Sequence, residues 1–107
     1  MSVPSIQLPN TSATPGLATD SSFTTAGTLL TIPSGALVWA KFVCRHEGSG
    51  GFWYGRYSGG TPTTTVYDFK LGPHDAHQMD NPPKGDIKVL ASASGIGSLS
   101  YAADWRV

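Results

Sequence analysis

Charge is what this chain has least of. Asp, Glu, Lys and Arg together make up 13% of its 107 residues, about half of the roughly 25% usual in soluble domains. So few charges argue against a bundle of solvated amphipathic helices and suit a surface partly covered by neighbours. Seven basic and seven acidic side chains leave a formal net charge of zero, with no basic run. The chain therefore has no long-range field to draw it to nucleic acid or to an anionic membrane, and neither is expected as a partner. Near-neutrality also favours self-association. Cys44 is the only cysteine, which excludes an intrachain disulfide and a cysteine zinc cluster. Its place in an apolar run reads as a small buried hydrophobe. No apolar stretch reaches the about 18 residues of a membrane-spanning helix. The first residues lack the basic and apolar regions of a secretory signal, so the expected place of synthesis and use is the cytosol.

Catalytic signatures are missing as well. There is no Gly-x-Ser-x-Gly elbow, Walker loop or His-Glu-x-x-His pair. Glu47 is the only glutamate, and nothing marks a carboxylate pair of the glycosidase type. The glycines at 48–51 and 59–60 read as turn formers, because no helix follows them to complete a phosphate cradle. His74, Asp75, His77 and Asp80 are the one group with metal-ligand chemistry. Their spacing falls in a polar segment without a third nearby histidine, so they read as a loop bonded to its own backbone. No enzyme activity, cofactor or metal is expected.

Turn formers and strand formers are abundant. Thirteen glycines and eight prolines make up about a fifth of the chain, against roughly 12% on average. No stretch keeps a 3.6-residue apolar period with a cap, so no helix is expected. Residues 1–25 are rich in Ser, Thr and Pro, with Val3, Ile6, Leu8 and Leu17 as scattered apolar side chains. This segment reads as an extended N-terminal arm, and residues 26–107 as one all-β domain.

Strand patterns recur along that domain. Leu29–Ile32 is a short apolar run closed by Pro33-Ser34-Gly35. In 36–44, Val38, Ala40, Phe42 and Cys44 share one face; Leu37, Trp39, Lys41 and Val43 share the other. Residues 52–57 form an aromatic strand, and the glycines at 48–51 are expected to join it to the preceding strand as a hairpin. Residues 63–71 favour a pleated surface, 74–83 a loop or short edge segment, and 86–92 an alternating strand. In the last run Leu99, Tyr101, Ala103, Trp105 and Val107 face one way. About six short strands with regular turn signals define a single β-sandwich, jelly-roll-like, or a small barrel. In the aromatic strand Trp53 and Tyr57 share one face, and Phe52 and Tyr54 the other. One set belongs to the core; an exposed set would suit a sugar ring or a neighbouring subunit. Trp53 and Tyr57 are the candidates named for that role, alongside the four apolar side chains of the arm.

The C-terminal third carries a recognisable pattern. It runs Leu71-Gly72-Pro73, a polar stretch with Met79, Asn81-Pro82-Pro83-Lys84-Gly85-Asp86-Ile87, Ala91-Ser92-Ala93-Ser94-Gly95, and finally Asp104-Trp105-Arg106-Val107. This resembles the closing segment of small all-β bacteriophage structural proteins, in which Glu often stands where Asp104 stands here. The resemblance implies a virion component that decorates or cements the capsid, or a head, neck or tail accessory. It implies the major capsid protein or other virion subunits as partners, a homotrimer as the favoured oligomer, and assembly in the host cytoplasm. It carries no catalytic residues. The leading expectation is thus a capsid-decorating protein whose arm straps it to a neighbour. The alternative is a carbohydrate-binding or receptor-binding tail module, with Trp53 or Tyr57 stacked on sugar; a hydrolase ranks last.

Overall fold

A computed structural model describes residues 10–35 and 40–106. Among the described residues eight strands form two four-stranded antiparallel sheets. In chain order they are β1 (Asn10–Ala18), β2 (Gly27–Ile32), β3 (Ala40–His46), β4 (Trp53–Arg56), β5 (Phe69–Leu71), β6 (Ala76–Asp80), β7 (Gly85–Ala91) and β8 (Leu99–Arg106). One sheet runs β1-β8-β3-β6 and the other β2-β7-β4-β5. The chain behaves as a long antiparallel ribbon that has been rolled up. β1 pairs with β8, β2 with β7, β3 with β6 and β4 with β5, and the ladders β3–β8 and β4–β7 close each sheet. This is the jelly-roll form of the β-sandwich.

Period-two alternation explains why these segments pair as they do. Ala40, Phe42, Cys44 and His46 point inward from β3 while Lys41 and Arg45 are exposed. Ile87, Val89 and Ala91 do the same from β7, and Leu99, Ala103 and Trp105 from β8. Phe42, Trp53, Ile87, Val89 and Leu99 are fully enclosed. Each such side chain contributes about 1.5–3 kcal/mol by leaving water. The core fills the space between the sheets, as the alternation of the sequence requires. Val38, Leu37, Trp39 and Val107 lie outside the described residues.

Three sequence expectations need correction. First, the sandwich does not begin at residue 26. β1 enters the sheet at Asn10, and Asp20 accepts a hydrogen bond from the Gly97 amide (2.8 Å). That bond, the largest influence on the group, holds the Asp20 carboxyl below its ordinary pKa. A short 3-10 turn, Asp20–Ser22, follows β1. Ser and Thr hide a strand well when one of its sides faces water. Second, β3 and β4 are not a hairpin: they lie in opposite sheets, and residues 47–52 cross between them. Third, residues 63–68 are not strand. The Thr63 hydroxyl accepts the Thr65 and Val66 amides, a local turn that competes with ladder pairing. Of the two readings open for 74–83, a loop or a short edge segment, the structure takes the second at 76–80, the edge strand β6.

The crossing at residues 47–52 lies against the β7–β8 connection. The Glu47 amide donates to Ser98 O (2.8 Å), and the Trp53 indole N–H donates to Gly97 O (3.1 Å). The fully buried His46 serves the same corner: its Nε2 donates to Gly50 O (2.7 Å) and its Nδ1 accepts the Gly48 amide (3.1 Å). A Cβ on Gly48 would overlap the Ile96 carbonyl oxygen and the Gly97 Cα, both backbone. A Cβ on Gly50, two residues away, would meet nothing within 4 Å. Gly48→Ala is therefore expected to lower stability by about 3 kcal/mol, and Gly50→Ala by no more than about 0.5 kcal/mol. Urea unfolding of the two variants beside the parent checks the difference.

Candidate functional site

The side chains picked out from sequence separate in space. Trp53 is fully buried and packs on the Phe23 ring at 6.0 Å. Tyr57 is buried too, and its hydroxyl shares a 2.7 Å hydrogen bond with His77 Nε2. Both therefore belong to the core, and neither can stack on a sugar or a neighbour. The two-residue period divides the aromatics into Trp53 with Tyr57 and Phe52 with Tyr54, but it does not say which set faces out. The second sheet settles this with β5: Gly55, one step from Tyr54, receives the Phe69 ring on the inner side. Leu17 is 65% exposed on the edge strand β1. Val3, Ile6 and Leu8 lie outside the described residues.

The His/Asp group disperses in the same way. β6 alternates, so His77 turns inward and Asp80 outward. His77 stacks on Phe69 (4.3 Å between ring centroids, 13° between planes). The Asp75 carboxylate accepts the Gly72 amide (2.9 Å) and closes the β5–β6 turn. Asp80 accepts a bond from the Gln78 side chain (3.4 Å). Among the described residues no three His, Cys, Asp or Glu side chains come together as a metal site. Cys44 faces inward opposite His77, and burial pushes its thiol up to about 12.

A shallow depression of about 470 Å³ lies on the outer face of the first sheet. Val43, Ala76 and Ala102 form its apolar floor, and Arg45, Gln78 and Ser100 edge it. The ladder register builds it: Ala102 pairs with Val43, and Val43 with Gln78; Ser100 pairs with Arg45, and Arg45 with Ala76. Leu17 pairs with Ser100 on the other side, so the exposed leucine extends the same row. Small side chains in consecutive rows leave the hollow. Ser100 Oγ donates to Glu47 Oε2 (2.6 Å) at its rim. The hollow is open and mostly apolar, a shape that accepts side chains of a partner rather than enclosing a small substrate. The sequence pattern gave no sign of it, because Ala, Val and Ser at outward positions look like ordinary solvent-facing residues.

No protein-family model matches the chain, and no curated protein matches it. Among solved structures, the fold is similar to that of a chain from the work described as "Bacillus endospore appendages form a novel family of disulfide-linked pili". The TM-score is 0.51 at 12% identity, over 92% of this chain and 86% of that one. The likeness concerns the architecture of the β-sandwich.

His77 makes stability depend on pH. Burial holds its pKa below the ordinary 6.5, so the unfolded chain takes up a proton before the folded one does. Stability is complete above about pH 6.5 and is lost as the pH falls through the folded pKa. The melting temperature is expected to drop between about pH 7.5 and about pH 5. His77→Phe should flatten that slope, which thermal melts across the range would register.

Proposed function

We propose that this chain is a non-enzymatic structural subunit of a bacteriophage particle, decorating or cementing the capsid. The observation that carries this reading is the outer face of the first sheet. There an exposed Leu17 and the Val43–Ala76–Ala102 hollow offer apolar surface edged by Arg45. The C-terminal pattern shared with small phage structural proteins supplies the kind of assembly. A structural role is further supported by the similar fold of a chain from work on disulfide-linked pili. Its disulfide linkage has no counterpart here, because Cys44 is the only cysteine and is enclosed between the sheets. Contacts with neighbours would be non-covalent. The partners on this reading are further copies, in a trimer, and the major capsid protein.

Light scattering after gel filtration tests the self-association. The full chain is expected to run as a trimer and Ala102→Arg as a monomer with an unchanged melting temperature; a monomeric parent would defeat the trimer. The strap idea is tested by deletion. Removing residues 1–9 should leave a cooperative melt but weaken binding to particles. Removing residues 1–20 should abolish the fold, since it strips β1 from β8 and takes Asp20 from Gly97. Full particle occupancy by the shorter deletion would rule out a strap.

A further inference from the structure

We propose that the outer face of the second sheet binds an anionic polysaccharide, through the rings of Phe52 and Tyr67 and the cations Arg56, Lys70 and Lys88. This site lies on the sheet opposite the hollow and does not depend on the phage reading. Two kinds of observation place it there.

The first is a cluster of like charges without a direct ion pair. Arg56 and Lys88 are direct partners across the β4–β7 ladder and point outward, on positions alternating with the buried Val89 and Ile87. Like charges placed opposite each other on a sheet oppose folding. Lys70 stands one row further along, opposite Tyr54. Among the described residues none of the three has a carboxylate within ion-pair distance. Two acids lie nearby and keep their charge, Asp68, which accepts the Tyr57 amide (2.8 Å), and Asp86, which accepts the Thr31 hydroxyl (2.7 Å), but neither is paired directly with these cations. An anion set between the cations relieves their repulsion.

The second is an aromatic strip beside these cations. Phe52 and Tyr67 are each 40% exposed, and they flank the covered Tyr54 ring at 6.3 and 5.3 Å. Lys70 Nζ sits 4.3 Å from the Phe52 centroid, a cation–π contact. Neighbouring rows of a sheet face are about 7 Å apart, close to the width of one sugar ring. A uronate-type sugar offers an apolar C–H face and a carboxylate at this separation. Single-stranded nucleic acid fits less well. The rings are tilted 45° and 49° against Tyr54 and so offer no flat platform for successive stacked bases.

The test is affinity electrophoresis and calorimetry with alginate as the polyuronate, dextran as a neutral polymer, and an oligothymidylate. The full chain is expected to bind alginate and neither of the others. The double variant Arg56→Gln, Lys88→Gln should weaken binding about tenfold or more, with a melting temperature at or above that of the parent. Tyr67→Ala should weaken it comparably, and Lys41→Gln on the opposite face should leave it unchanged. The proposal is overturned by absent alginate binding at millimolar sugar, by equal binding of dextran, by preference for oligothymidylate, or by unaltered affinity in the folded double variant.

Discussion

The rolled ribbon turns its corner only because nothing but hydrogen stands between Gly48 and Gly97. At this point two connections, β3 to β4 and β7 to β8, leave one sheet for the other side by side. Their backbones must touch if β3 is to remain paired with β8, and β4 with β7. The surrounding polar groups secure the contact. His46 bonds to both sides of the first crossing, Trp53 bonds to Gly97 O, and Asp20 receives the Gly97 amide. His46 finds its two partners only as the neutral Nε2–H tautomer, so a polar residue sits at the edge of an apolar core without an unmet group. The core aromatic Trp53 and the corner are thereby one unit.

From this corner the two outer faces diverge in chemistry. Both are built by the same two-residue period, yet one displays Val43, Ala76 and Ala102 around a hollow. The other displays rings and cations. Apart from His46 and His77 the inner positions are alike in kind, apolar and closely packed, so the individuality of the molecule resides mostly in its outward residues. A sandwich suits this division of labour: the ladder hydrogen bonds fix positions on both faces, leaving the outward side chains free to vary with little effect on the core.

The sequence carried the inward pattern clearly. Phe42 and Cys44, Ile87 and Val89, Leu99 and Trp105 all alternate as the burial does. It did not carry sheet membership. Gly48 to Gly51 looks the same whether it closes a hairpin or crosses between sheets; the difference lies in Ile96 and Gly97, over forty residues later. β1 was hidden because its partner is β8, at the far end of the chain. Its Ser, Thr and Pro content resembles an unstructured arm when read alone. The aromatic strand shows the same limit at the candidate site. Alternation sorts Trp53 and Tyr57 from Phe52 and Tyr54, but only the Phe69 ring beneath Gly55 tells which side is inside. Likewise, Arg56 and Lys88 become a pair only when β4 and β7 are adjacent.

The pairing of the first and last strands has a mechanical consequence. Asn10 is the partner of Arg106, so the two ends of the described chain leave the sandwich at the same corner, on adjacent strands that run in opposite directions. Tension between those ends would unzip the ladder one rung at a time from Asn10 and Arg106 inward. It would not load all the rungs together, as shear along the strands does. β8 would remain anchored by β3 while β1 peeled away. Force transmitted across the broad faces of the sandwich meets both sheets and the core between them. A sandwich built this way resists compression and lateral load far better than a pull on its leading strand.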